Sequence, residues 1–116
     1  IPDHKFAYLV AESYFEELME HHVKIYTFTP GLIHGKTAMA DREVAFVGSV
    51  NMDYRSFQLH FECGEVLYGV PAIESLLEDM DRIVDSSELM TPQRMAERPV
   101  WRRLLGTVLR LFAMWM

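Results

Sequence analysis

The chain has 116 residues, half of them apolar, enough for one domain with a small core and a large exposed fraction. Eleven Lys/Arg against 17 Asp/Glu give a formal net charge of −6, and so acidic a body argues against tight, sequence-independent binding to nucleic acid. A single cysteine, Cys63, excludes an internal disulfide, gives no support to a cysteine metal cluster, and fits a reducing compartment.

The sequence opens at Ile1 with no initiator Met and no signal-peptide pattern, which reads as a piece of a longer protein. Ser13 to His22 places Tyr14, Phe15, Leu18 and Met19 at helical spacing, with Glu16, Glu17 and Glu20 mostly on the other side. Val23 to Phe28 reads as a strand closed by Thr29-Pro30-Gly31. Leu32 to Ala40 reads as a second strand, Asp41-Arg42 as a turn, and Glu43 to Gly48 as a third strand. Ser49 to Ser56 is polar and turn-like, and Phe57 to Tyr68 returns to an extended pattern ending at Gly69. Pro71 then opens a helix with Ile73, Leu76, Leu77, Met80, Ile83 and Val84 on one side. Helix, strands, then helices imply an α/β or α+β layered fold, with a mixed β-sheet flanked by helices.

The charge is unevenly spread. Residues 1–97 hold seven basic against 17 acidic groups, a balance of −10, whereas residues 98–116 hold Arg98, Arg102, Arg103 and Arg110 and no acid. We therefore expect a domain over 1–97 and a basic amphipathic helix over 98–116. In that tail Trp101, Leu104, Leu105, Val108, Phe112 and Trp115 recur at helical spacing, with arginines on or near the opposite face. It is too short and too charged to span a bilayer. It fits either a helix lying in the membrane interface or a terminal helix packed on protein.

The chemistry concentrates in His34 to Asn51, HGKTAMADREVAFVGSVN. On a strand, His34 and Lys36 point to one side, and an imidazole beside an ammonium suits an anion: lysine neutralises phosphate charge while histidine attacks or moves a proton. A β-turn-β path brings Ser49 and Asn51 back towards them as hydrogen-bond donors, and Gly48 leaves the backbone room. Glu62 is placed to accept from one ring nitrogen of His34 and fix its tautomer.

His34-x-Lys36-x4-Asp41 followed by Gly48-Ser49-x-Asn51 resembles the HxKxxxxD…GSxN signature of the phospholipase D superfamily. SYFEELMEHHVKIYTFTPGLIHGK, VGSVNMDYRSFQLHFE and the closing RPVWRRLLGTVLRL are similar to the C-terminal half of bacterial cardiolipin synthases. His22, where those proteins often carry glycine, and Met39, Ala40 and Cys63-Gly64 depart from the usual pattern. The resemblance implies a phospholipase D-like sandwich half-domain that transfers a phosphatidyl group between two phosphatidylglycerol molecules through a phosphohistidine. It further implies His34, Lys36, Asp41 and Glu62 as catalytic residues and Lys36, Ser49 and Asn51 as phosphate-binding ones. Asp41 is then a structural and electrostatic support rather than the base. No cofactor or metal is implied. The partners implied are a phospholipid, a membrane surface, and a second HxKxxxxD half-domain in the same chain or a second copy, with no nucleic acid. The place of action implied is the bacterial cell membrane, with the active domain on the cytoplasmic side and the fragment itself soluble or peripheral. As a monomer, the fragment is expected to be inactive.

Two other readings stay open: a single-motif homodimeric phosphodiesterase or nuclease, and a non-catalytic membrane-binding module. Asp53 and Arg55 read as loop stabilisers, Cys63 as a small core residue, and His4, His21, His22 and His60 as surface or loop histidines, with a site-lining role open for His60 because it lies near Glu62 in sequence.

Overall fold

A computed structural model describes residues 5–112, which fall into two compact units: residues 33–86, and residues 5–32 together with 87–112. Each is taken by itself.

The first unit is a three-stranded antiparallel sheet, β2 (Lys36–Ala40), β3 (Val44–Gly48) and β4 (Gly64–Tyr68), in that order, with α3 (Tyr54–Gln58) between β3 and β4 and α4 (Ala72–Asp85) after β4. Period-two alternation sends Thr37, Met39, Ala45 and Leu67 to one face, which is half-buried or buried, and leaves Val66 and Tyr68 exposed on the other. Pro71 stands at the N-cap of α4, and Ile73 is its buried anchor. Leu76, Leu77, Met80 and Ile83 continue that stripe as expected, while Val84 is exposed.

The second unit pairs β1 (Tyr26–Phe28) antiparallel with β5 (Ser87–Leu89). Around them lie α1 (Lys5–Glu12), α2 (Phe15–Glu20), α5 (Pro92–Ala96) and α6 (Val100–Arg110). Met90 and Met95 are its buried apolar side chains. Thr91 caps α5 by accepting from the Arg94 N–H at 3.3 Å, with Pro92 in the first turn.

The fold class holds, with the expected mixed sheet realised as two small antiparallel ones. Several boundaries differ. The second strand starts at Lys36 rather than Leu32, because β3 ends opposite it at Gly48 and Ser49 turns away, so residues 32–35 have no ladder partner. The polar loop contains α3, because the Asp53 side chain accepts from the Ser56 N–H at 2.8 Å and nucleates a turn. That helix takes Phe57 and Gln58 out of the extended run, and β4 begins only at Gly64. Cys63 is exposed, not a core residue. His21, His22 and His60 are exposed as expected; His4 and Trp115 lie outside the described residues.

Helix α6 forms where the tail pattern placed a helix, and it packs on α1 through Gly106, where an added Cβ would sit 2.8 Å from the Leu9 carbonyl oxygen. Arg98 Nη1 lies 2.7 Å from Glu12 Oε1 and Arg102 Nη2 3.5 Å from Glu12 Oε2. Arg103 pairs with Glu16 at 2.7 Å and Arg110 with Glu17 at 2.8 Å, the latter guanidinium also stacking 3.8 Å from the Tyr14 ring centre. No helix among the described residues is long and apolar enough to cross a membrane.

Candidate active site

The register of the three-stranded sheet decides where the polar groups meet. Lys36 pairs with Gly48, and Gly48 pairs with Gly64, so these three form the last row at one end of the sheet. Just past that row the chain places His34, Ser49 and Glu62, each one or two residues from it. Two of the three row positions must be glycine. A Cβ on Gly48 would lie 2.6 Å from both the Cys63 carbonyl oxygen and Phe46 Cζ, and one on Gly64 would run into the Phe46 ring. The backbone is bare here because an aromatic ring covers it from one side.

Ser49 ties the two returning strands together. Its N–H donates to the Cys63 carbonyl at 2.8 Å, its Oγ accepts from the Cys63 N–H at 3.0 Å, and its hydroxyl donates to Glu62 Oε2. The Ser49 hydroxyl is the main reason the Glu62 carboxyl sits below its ordinary value of 4.5; Ser56 and the neighbouring His60 act in the same direction. His60 Nδ1 lies 3.7 Å from Glu62 Oε1. Lys36 Nζ donates to the His34 carbonyl at 2.9 Å, which folds the ammonium back over the residue it accompanies in the motif. His34 and Asn51 are both exposed, and the Asn51 N–H donates to Ser56 Oγ at 3.2 Å.

His34, Lys36, Ser49 and Glu62 thus stand at one end of the sheet, with Asn51 two residues beyond Ser49; Ser49 and Glu62 join through their side chains, while Lys36 reaches the backbone of His34. Asp41 does not join them. It lies in the turn at the other end of β2, five residues from Lys36, a span of about 16 Å along an extended chain. Asp41 and Arg42 both take left-handed backbone angles, φ 52° and 58°, and the Glu43 N–H closes the turn on the Ala40 carbonyl at 3.1 Å. A short polar residue suits that first position, because Asp tolerates left-handed φ better than most side chains.

Two residues at this end carry more than the sequence reading gave them. Ser56 is buried and joins Asn51 to the Glu62 neighbourhood; its signal was the Asp-x-x-Ser spacing that caps a helix. His60 was read first as a surface histidine, with a site-lining role left open by its place two residues before Glu62, and its ring lies 3.7 Å from that carboxylate.

Residues 1–84 match the model of the family described as cardiolipin synthase, PLD-like domain. The chain belongs to that family. It is 38% identical over 112 residues to a cardiolipin synthase of Listeria welshimeri, covering 97% of this chain and 23% of that protein. To cardiolipin synthase 2 of Bacillus anthracis it is 36% identical over 113 residues, 97% of this chain and 22% of that protein. An uncharacterized protein of Streptococcus mutans is 36% identical over 113 residues, with 97% and 24% covered. The chain therefore spans about a quarter of the length of the curated relatives it matches. No solved structure matches it.

Proposed function

We propose that this chain is the C-terminal catalytic half of a cardiolipin synthase, a phosphatidyltransferase of the phospholipase D type acting at a bacterial membrane. The observation that carries the reading is the row Lys36, Gly48, Gly64, because it gathers His34, Lys36, Ser49 and Glu62 at one end of a sheet in a member of this family.

In the proposed reaction one histidine of a pair attacks the phosphorus of phosphatidylglycerol. The phosphorus–oxygen bond to the glycerol headgroup breaks, and the second histidine protonates the departing oxygen. The headgroup hydroxyl of a second phosphatidylglycerol then passes its proton to the second histidine and attacks the phosphorus, and the phosphorus–nitrogen bond breaks to release cardiolipin and the first histidine. His34 is one member of that pair. The other comes from a second motif-bearing half, in the same longer chain or in a second copy.

Lys36 neutralises the phosphoryl oxygens and Asn51 donates to them. Ser49 has one hydroxyl proton, held by Glu62 in this structure, so its donation to phosphate requires the hydroxyl to turn. Glu62 keeps further lone pairs with which to accept from His34. Asp41 supports the site by shaping the hairpin turn rather than by touching the reacting atoms.

The test is His34→Ala in the longer protein, read by product analysis. Cardiolipin formation is expected to fall by at least about 1,000-fold, as loss of a nucleophile or general acid does. Unchanged production would leave the chain a non-catalytic module. The 116-residue chain alone, sized as a monomer, is expected to show no turnover, and clear transfer by the monomer overturns the half-site reading.

A further inference from the structure

Helix α6 is amphipathic with its polarity reversed. At about 100° per residue, Val100, Trp101, Leu104 and Val108 of the helix share one face, and the same winding carried into the turn after Arg110 brings Leu111 and Phe112 into that arc of about 120°. All six are 53–79% exposed. The opposite side is centred on buried Gly106, flanked by Arg102, Arg103 and Arg110. A free amphipathic helix would show its arginines to water. Here Glu12, Glu16 and Glu17 hold them against α1 and α2, and the apolar arc is left outside.

We propose that this arc is a lipid-facing ridge that seats among the acyl chains at a bilayer surface and needs no anionic headgroup to do so. The proposal rests on the lipid-transfer reading above for its choice of occupant. Charge carries the rest. The arc holds no charged or polar side chain, and the cations that normally draw such helices to anionic lipid are already paired. Residues 1–97 carry a balance of −10, so an anionic surface would repel this chain rather than recruit it. Attraction must then come from apolar burial. After Arg110 the sequence adds only apolar residues, Leu-Phe-Ala-Met-Trp-Met. A ridge without polar positions suits a fluid apolar phase, which needs no matching groove.

The experiment is sedimentation of the 116-residue chain with vesicles of phosphatidylcholine, alone or mixed with phosphatidylglycerol, at low and high salt. Binding is expected on both, within about threefold across lipid and salt. Leu104→Gln with Val108→Gln is expected to weaken it at least about tenfold with unchanged thermal unfolding, because both sites are exposed. Arg103→Gln is expected to leave it within about twofold. Lipids brominated in the acyl chain are expected to quench the tryptophan fluorescence of the unaltered chain, a readout independent of any substitution. Binding that requires anionic lipid and vanishes in salt, equal binding by the double variant, no quenching, or no binding overturns the proposal. So does a dimer that the double variant converts to monomer, which would give the arc to a second copy. Loss of thermal stability in the longer protein carrying the double variant would give it to another part of that protein. The His34→Ala chain, run in parallel, is expected to bind like the original, so failure of the transfer reading and failure of the ridge are told apart.

Discussion

The helical unit and the sheet unit are organised by opposite means. In the helical unit the docking of α6 is held by charge: buried Glu12 sits between two guanidiniums, and at the exposed edge Glu16 and Glu17 take one each. In the sheet unit the decisive feature is the absence of side chains, at Gly48 and Gly64, where the Phe46 ring and the Cys63 carbonyl come too close for a Cβ. The difference follows from what each surface must present. A helix that shows an apolar face outward turns its cations towards its neighbours and pairs them, whereas a sheet end that gathers polar groups must clear its backbone to make room for them.

The sharpest way to break this comparison is to remove one carboxylate. Glu12→Ala leaves two arginines facing a low-dielectric seam, and we expect a loss of about 3 kcal/mol in urea unfolding. Glu16→Ala breaks an exposed pair and is expected to change stability by less than about 1 kcal/mol. Equal effects would mean that the buried charge is not what secures α6. The steric claim about the sheet is tested next. Gly48→Ala forces the Phe46 ring and the Cys63 backbone apart, with an expected loss of about 2 kcal/mol and amide shifts centred on Cys63 and Gly64.

Much of the sheet unit was legible because its signals are local. Alternation fixed β3, and the stripe after Pro71 gave α4 with its buried side assigned except at Val84, which is exposed. The motif spacing named His34, Lys36, Ser49 and Asn51, and the register sets their chain positions at or just past one end of the sheet. Asp41 belonged to the same motif yet stands at the far end of β2, because a linear spacing of five strand residues separates groups in space as firmly as it joins them in sequence. The face shared by His34 and Lys36 was argued from the pleat, but His34 precedes the strand; its place depends on where β3 ends, a non-local fact. The direction of α6 was illegible for the same reason. Its wheel shows two faces, and only the acids of α1 and α2 decide which one turns in. Strand β5 was missed because three residues paired across more than fifty carry no periodic signal of their own.

A smaller effect probes the sheet end electrically. The Ser49 hydroxyl, ahead of Ser56 and His60, holds the Glu62 carboxyl below 4.5. A carboxyl depressed in the folded state stabilises it above the unfolded value, and that contribution fades as pH falls through the lower folded value. Ser49→Ala removes the leading cause, so carboxyl-carbon NMR is expected to show the Glu62 midpoint moving up towards 4.5. The lost hydrogen bonds should also lower stability by about 1 kcal/mol at neutral pH. An unmoved midpoint would assign the depression to Ser56 and His60 instead.

The smallest expected effect is a gain. Helix α2 ends in a Schellman arrangement: the Val23 N–H donates to the Leu18 carbonyl and the His22 N–H to that of Met19, both at 3.0 Å. That geometry puts His22 at φ 63°, the left-handed conformation that glycine adopts without a Cβ clash. The sequence had marked this position as one where similar proteins often carry glycine, and the backbone angle supplies the physical reason. His22→Gly is expected to stabilise the chain by about 0.5 kcal/mol, relief of the clash being partly offset by the extra freedom of glycine when unfolded. Thermal unfolding of the two chains side by side measures it. A loss instead of a gain would mean that the exposed imidazole contributes more to the end of α2 than its strained backbone takes away.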